Sequence, residues 1–142
     1  MRRLKLYTII GMVVLGLCFS SRSLANEAKE AAAVAAATIW LNLVDERMYG
    51  DSWEAAAAYF KRAIARQKWE QMLTAVRNPL GRMVSRELIS KTYSQSLPGA
   101  PDCEYVVIQF ATSFENKKSA IETVTPMLDS DGEWRVSGYF IK

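Results

Sequence analysis

The residue types that most enzymes use for catalysis are scarce in this chain. It contains no histidine, which excludes Ser-His-Asp and Cys-His catalysis and removes the commonest zinc ligand. The sequence also lacks a glycine-rich phosphate loop and a dinucleotide-binding fingerprint. We therefore predict no catalytic residues, no metal site and no cofactor, and we expect a protein that is not an enzyme.

One carboxylate, that of Glu122, stands in an apolar setting. Strand alternation places it on the same face as Val124 and Leu128, and a charge on a buried face must be paired, hydrogen-bonded or protonated. Arg86, which alternation also places among apolar residues, is its natural partner. Tyr139 joins them if the register of the last hairpin puts it on the same face. Arg86, Glu122 and Tyr139 together form the predicted ligand-binding site.

Three roles for this group stay open at the level of sequence. The first is an ion pair that only holds the fold, and the second is the polar lining of a ligand pocket. The third is an acid–base pair in which Glu122 is the base and Tyr139 the proton donor. The missing histidine argues against the third role, although a carboxylate can act alone.

The remaining polar or reactive residues fit structural roles. Asp129, Asp131 and Glu133 lie in a short turn rather than in the twelve-residue calcium loop of an EF-hand. Cys103 is the one cysteine beyond residue 25, and we interpret it as a small buried hydrophobe rather than a reactive thiol or an intermolecular bridge. Residues 45–47 are interpreted as a solvated helix end.

The charge distribution sets the first 25 residues apart from the rest. The formal net charge is +3, but this segment holds four basic residues and no acidic one. The other 117 residues therefore carry 14 basic and 15 acidic side chains, a net charge of −1. A domain this close to neutral offers no basic surface to nucleic acid or to an anionic membrane.

Residues 1–25 have the three parts of a secretory signal peptide. Met1–Lys5 is a short basic region, Leu6–Phe19 is an apolar run, and Ser20–Ala25 ends in small residues that predict cleavage after Ala25. The apolar run is shorter than the roughly 20 residues that a membrane span needs. We therefore expect a periplasmic or secreted protein with no stable membrane insertion after cleavage.

Three helices are predicted in the first half of the remaining chain. The first helix is the alanine-rich Asn26–Met48, and Gly50 is predicted to end it. Asp51 is the predicted N-cap of the second helix, and Glu54 completes a capping box with it. The third helix is Arg66–Arg77. Helical spacing predicts these apolar stripes: Ala33, Ala36, Ala37, Trp40, Leu43, Val44 and Met48; Trp53, Ala56, Ala57, Phe60 and Ile64; Trp69, Met72, Leu73 and Val76.

Strand periodicity replaces helical periodicity after residue 81. Four strands are predicted, at Arg82–Ser94, Glu104–Phe114, Ala120–Leu128 and Glu133–Ile141, separated by a loop at Leu97–Asp102, a turn at Asn116–Ser119 and a hairpin turn at Asp129–Gly132. Helices followed by an antiparallel meander predict a single α+β domain over residues 26–142, with the helices on one face of the sheet. The predicted core contains Trp40, Trp53, Phe60, Trp69, Val106, Ile108, Phe110 and Trp134.

Short motifs along nearly the whole of residues 26–142 resemble one known family. They are Trp40-Leu41, Asp45, Tyr49, Ser52-Trp53, Trp69, Pro79-Leu80-Gly81, Arg86, Pro98-Gly99-Ala100-Pro101-Asp102, Glu104-Tyr105, Phe110, Glu122, Asp131-Gly132, Trp134-Arg135-Val136 and Gly138-Tyr139. The family is domain-of-unknown-function family 4019 (DUF4019), small exported bacterial proteins. The resemblance implies a cystatin-like or NTF2-like fold, a cone in which helices cap a curved four-stranded antiparallel sheet. It implies no established activity.

These observations together predict an exported, non-enzymatic binding module. It would take a small ligand in the cone or an envelope protein on the open face of the sheet, and it would not bind nucleic acid. Two alternatives are kept: a pocket-acid enzyme of the NTF2-like class, and a structural envelope component that forms a homodimer through its sheet.

Overall fold

The structure, a computed structural model, describes residues 17–142, with side chains from residue 22 onward. Its elements are α1 (Leu17–Asp45), α2 (Tyr49–Glu54), α3 (Ala58–Ala63), α4 (Arg66–Arg77), a 3₁₀ turn (Asn78–Leu80), β1 (Met83–Ser94), β2 (Tyr105–Phe114), β3 (Lys117–Leu128) and β4 (Trp134–Ile141). The strands form one antiparallel sheet in the order β1-β2-β3-β4. The predicted α+β fold, with helices preceding a four-stranded antiparallel sheet, is confirmed.

The predicted signal peptide falls only partly within the described residues. Its basic region and most of its apolar run, residues 1–16, lie outside them, whereas residues 17–25 form the start of α1. Side chains 22–28 are all exposed, and the first described hydrogen bonds from α1 to the rest of the protein are made by Lys29 and Glu30. Within residues 17–142 no helix is long and apolar enough to cross a membrane.

The core lies between α1 and one face of the sheet, here called the inner face. Alternation along β2 sends Val106, Ile108 and Phe110 to this face, where all are buried. Trp40 and Trp69 pack against them from the helices, and their indole N–H groups donate to Ser52 at 2.8 and 3.0 Å. Buried indoles need such acceptors. All eight predicted core residues belong to this cluster, two of them partly buried, so the core prediction is confirmed.

The end of the first helix differs from the prediction. Helix α1 ends at Asp45, and Arg47 rather than Gly50 adopts the left-handed conformation, with φ of 63°. The Met48 N–H donates to the Leu43 carbonyl at 2.8 Å, which is the hydrogen bond of a Schellman motif. Gly50 therefore lies inside α2 and does not cap α1.

The predicted second helix is two short helices. The chain breaks at Ala57, which is extended and whose N–H donates to the Val136 carbonyl of β4 at 2.8 Å. That bond to the sheet replaces the one that would continue the helix. The predicted capping box is also wrong: α2 starts at Tyr49, so Asp51 lies in its first turn, and no side chain caps the helix.

Some predicted apolar stripes are narrower in the structure. Met48, Met72 and Val76 are exposed. On α4 the buried residues are Trp69, Leu73 and Arg77, at intervals of four, because only a thin edge of this helix meets the core.

Strand β1 departs from simple alternation. Its pairing with β2 shifts register between Met83 and Ser85 and again between Leu88 and Ser90. A β-bulge adds one residue to a strand and interrupts its alternation, and β1 is also at the edge of the sheet. The predicted apolar neighbours of Arg86, Val84 and Leu88, are consequently exposed.

The turns between strands follow the sequence signals closely. The Asp129–Gly132 hairpin is present, with Gly132 at φ of 85° and its N–H donating to the Asp129 carbonyl at 2.9 Å. The predicted turn at Asn116–Ser119 is shorter than expected, since β3 already begins at Lys117.

Candidate functional site

The three residues predicted to form a site lie together on the inner face. The Arg86 Nε donates to the Glu122 carboxylate (Oε1) at 2.7 Å. The Tyr139 hydroxyl donates to the other carboxylate oxygen (Oε2) at 2.5 Å. One carboxylate on β3 therefore joins a guanidinium on β1 and a phenol on β4.

The register of the sheet explains this meeting. Arg86 lies opposite Thr112 on β2, and Thr112 lies opposite Ala120, two residues before Glu122. Tyr139 lies opposite Val124, two residues after Glu122. Tyr139 and Glu122 are therefore diagonal neighbours on one face, about 7–8 Å apart at Cα, whereas Arg86 lies two strands from Glu122 and its long side chain reaches across β2.

Two charged residues from the helices complete the cluster. Asp45, the last residue of α1, accepts hydrogen bonds from both terminal nitrogens of Arg86, at 2.7 and 2.9 Å. Arg77, the last residue of α4, donates to Asp45 at 2.8 Å and to the Tyr139 hydroxyl at 3.3 Å, and its Nη1 lies 3.9 Å from Glu122. The interpretation of Asp45 as part of a solvated helix end is therefore wrong.

Every charge in this cluster has an internal partner. Two guanidinium groups, of Arg77 and Arg86, face two carboxylates, of Asp45 and Glu122, so the cluster is neutral. The Glu122 side chain is 0% exposed, and it also accepts the Thr112 hydroxyl at 2.6 Å. Carboxylates in such surroundings are stable because hydrogen bonds and opposite charges replace the lost water.

The titration behaviour of the cluster follows from this pairing. Burial raises the pKa of the Tyr139 hydroxyl, and the neighbouring Glu122 carboxylate raises it further, so the phenol stays protonated and donates. Burial alone would lower the pKa of Arg86, but hydrogen bonds to Asp45 and Glu122 outweigh it and raise that pKa. The arginine is therefore charged at neutral pH.

This arrangement is suited to holding elements together. It ties the ends of α1 and α4 to β1, β2, β3 and β4 through charge-assisted hydrogen bonds, which are the stronger class. The Glu122 side chain is 0% exposed, and both of its oxygens already accept short hydrogen bonds from the protein, so this carboxylate is not presented to solvent. Of the three roles left open by the sequence, the geometry favours the structural ion pair.

Sequence reasoning missed Asp45 and Arg77, although a signal for both was present. Arg77 continues the four-residue spacing of Trp69 and Leu73 on α4, and Asp45 follows Leu41 at the same spacing on α1. Two opposite charges at the ends of apolar stripes indicate a buried pair between helices.

The other polar candidates make local contacts. Arg135 binds both Asp129 and Asp131, the latter through two bonds of 2.8 and 2.9 Å, so a side-chain cation occupies the turn that resembles a calcium loop. Cys103 is half-buried beside Tyr105, and its thiol donates to the Leu128 carbonyl at 3.1 Å.

The structure is a small α+β domain in which a helical layer lies on one face of a four-stranded antiparallel meander and a buried charge cluster joins the two layers. The sequence model of one family, described as a protein of unknown function (DUF4019), matches residues 36–139. The chain belongs to this family. Neither the curated proteins nor the solved structures contain a significant match.

Proposed function

We propose that this protein is an exported, non-enzymatic module that binds another protein through the outer face of its sheet. The outer face is defined here as the side turned away from α1. It includes Val107, Gln109 and Ala111 of β2, Ile121 and Thr125 of β3, and Phe140 of β4. These six are half-buried or exposed, whereas Thr123, which pairs with Gln109 and Phe140 in the middle of the face, is buried.

The observation that carries this proposal is the contrast between the two faces. The inner face is covered by helices, and its buried charges are paired with one another. Among the described residues, the central part of the outer face is covered by no helix. Its apolar and β-branched side chains point to the same side of the sheet, and Phe140 is 55% exposed. Exposed apolar surface of this kind commonly marks a protein interface.

The two ends of the outer face differ, which limits where a partner fits. At one end the loop before β2 packs Leu97 and Ala100 onto Tyr105 and Met127. At the other end a shallow groove of about 250 Å³ is lined by residues that include Glu87, Ala111, Lys118 and Ile121. A partner would therefore contact the middle of the sheet and the end that carries this groove.

The export part of the proposal rests on the amino-terminal pattern and on the geometry of α1. Residues 22–28 are exposed, and the first described hydrogen bonds from α1 to other elements are those of Lys29 and Glu30. A chain beginning at Asn26 would therefore retain the described hydrogen bonds and ion pairs between α1 and the sheet.

Site-specific photo-crosslinking tests the proposed interface. A benzophenone amino acid is placed at Ala111 in the outer face and, as the matched control, at Ile39, which is 68% exposed on the solvent side of α1. The full-length chain is expressed in cells that normally produce it. We expect a discrete crosslinked species from position 111 and none above background from position 39.

A second variant separates binding from folding. Ile121→Arg places a charge in the outer face and should abolish the crosslink from Ala111 while the melting temperature stays within a few degrees of the parent. The mass of the crosslinked species distinguishes a second copy of this chain from another protein. Equal crosslinking from Ala111 and Ile39, or none from either, would contradict the proposal.

A further inference from the structure

The outer face carries one row of residues whose two ends have opposite charges. Glu87 of β1 lies opposite Ala111 of β2, which in turn lies opposite Ile121 of β3. Ile121 exchanges two backbone hydrogen bonds with Lys142, directly after β4, at 2.9 and 3.1 Å. These four residues, called here the charged row, therefore cross the whole sheet, with an acidic residue at one edge, a basic residue at the other and apolar residues between them.

Both charges of this row are available to a partner. Glu87 and Lys142 are exposed, and among the described residues neither takes part in an ion pair. Lys118 lines the same groove as Glu87 without forming an ion pair with it. Strand alternation places Lys142 on the same side of the sheet as Phe140, so its charge borders the apolar centre of the outer face.

Residue size is distributed across the face in the same direction as charge. The large apolar side chains of this region, Ile121 and Phe140, lie on β3 and β4. The corresponding positions on β2 and β1 hold the small residues Ala111 and Ser90. Small residues leave space above β2, where the groove of about 250 Å³ lies between Glu87 on one side and Ile121 on the other.

A face with this order is complementary to a copy of itself. We infer that the partner of the outer face is a second copy of this chain, packed face to face about a two-fold axis parallel to the strands. The inference rests on the proposed function and names the occupant of that interface. Facing sheets pack about 10 Å apart with their strands within about 30° of each other, so the four strands of each copy can contact those of the other.

The proposed axis lays β1 over β4 of the second copy and β2 over its β3. Glu87 then faces Lys142 of the second copy, and the symmetry makes this contact twice. Ile121 of the second copy enters the groove above Ala111. An uncharged centre bordered by opposite charges is the usual anatomy of a protein interface.

The charges also select this axis over the alternative. A two-fold axis perpendicular to the strands would lay each strand over its own copy. Glu87 would then face only β1 of the second copy, whose other outer-face residues, Ser85, Ser90 and Thr92, are uncharged. Lys142 would likewise face no acidic residue of β4. Only the axis parallel to the strands brings the two opposite charges together.

Analytical ultracentrifugation tests the inference on the chain purified from cells that normally produce it. We expect a species of twice the chain mass that dissociates on dilution. Glu87→Lys and Lys142→Glu should each raise the Kd of the dimer about tenfold at low ionic strength, because each variant sets like charges opposite each other at two symmetric positions. The double variant restores opposite charges, and its Kd should return to within about threefold of the parent value.

Two further variants calibrate this experiment. Lys68→Glu changes an exposed charge on α4, on the helical side of the sheet, and should leave Kd unchanged. Ile121→Arg should yield a monomer, because it places a charge where Ile121 would enter the groove. All the substituted side chains are exposed or half-buried, and thermal melts within a few degrees of the parent will show that the variants are folded.

The outcomes separate this inference from the proposed function. Rescue of the dimer in the double variant supports the inference. A dimer that survives Ile121→Arg, that neither charge reversal weakens, or that the double reversal fails to restore overturns it. A chain that stays monomeric at every concentration also overturns it. In that case the proposed function stands if position 111 still crosslinks to a different protein, and it fails if position 111 crosslinks to nothing.

Discussion

Replacing Arg86 with methionine should be among the most damaging single changes in this protein. The substitution removes one hydrogen bond of 2.7 Å to Glu122 and two, of 2.7 and 2.9 Å, to Asp45. Two almost fully buried carboxylates then share Arg77 as their one remaining cation. Breaking a buried ion pair from one side costs about 3–5 kcal/mol, so we expect a loss in this range for Arg86→Met.

A double-mutant cycle with Glu122→Met measures how much of that loss belongs to the pair. In the double variant Asp45 keeps its bond to Arg77 at 2.8 Å, and no carboxylate is stranded on the sheet. The hydroxyls of Thr112 and Tyr139 lose their acceptor, so recovery is incomplete. We expect the double variant to be more stable than the sum of the single losses predicts, by about 1–3 kcal/mol.

Arg82 and Glu115 provide a matched control. The same two residue types meet at 2.9 Å, but their side chains are 84% and 40% exposed. Exposed ion pairs contribute about 0–1 kcal/mol, so Arg82→Met should be nearly neutral. The assay is urea denaturation, with unchanged m-values showing that the unfolded states are comparable. If Arg86→Met cost no more than Arg82→Met, or if the cycle gave no coupling, the argument from burial would be refuted.

Three further predictions follow from the core, the turns and the last hairpin. Phe60→Ala should lower the free energy of unfolding by about 3–5 kcal/mol, because the buried ring leaves a cavity; a thermal melt that moved by less than a few degrees would contradict this. Gly81→Ala should lower the free energy of unfolding more than Gly99→Ala does, although the two glycines have similar φ values of 75° and 76°. A Cβ at position 81 would lie 2.8 Å from a carboxylate oxygen of Glu115, whereas one at position 99 would have nothing within 4 Å. Equal losses in the free energy of unfolding would assign the whole effect to the backbone. The hydrogen bond from Arg135 lowers the pKa of Asp131 from 3.8 to about 2. Its stabilising effect is therefore complete above about pH 5 and is lost as the pH falls through 3.8 toward 2. An NMR titration should show Arg135→Met raising that pKa, and an unchanged value would refute the assignment.

The fold could be predicted because its signals are local. Alternation identified Val106, Ile108 and Phe110, and the turn signals separated the strands. The break at Ala57 could not be predicted, since it depends on a hydrogen bond to Val136 on the last strand. Helical spacing continues through the break, and only the folded chain brings that carbonyl close.

The site was predicted in part, for a related reason. Alternation marks a charge on an apolar face, and it identified Glu122 without knowledge of its partners. Asp45 and Arg77 lie at helix ends, which are solvated in most proteins, so residue type and position argued against burial. Their roles depend on how the two helices cross the sheet, which short-range spacing does not encode.

The residues that carry the family resemblance have structural explanations with one exception. Trp40 and Trp69 donate to Ser52 in the core, Gly81 adopts a φ of 75°, and Glu122 closes the charge cluster. Tyr49 is the exception: among the described residues its buried hydroxyl has no hydrogen-bond partner, as is also true of Thr123 outside these motifs. Its ring packs in the core cluster, and phenylalanine would make the same packing contacts without burying an unpaired hydroxyl.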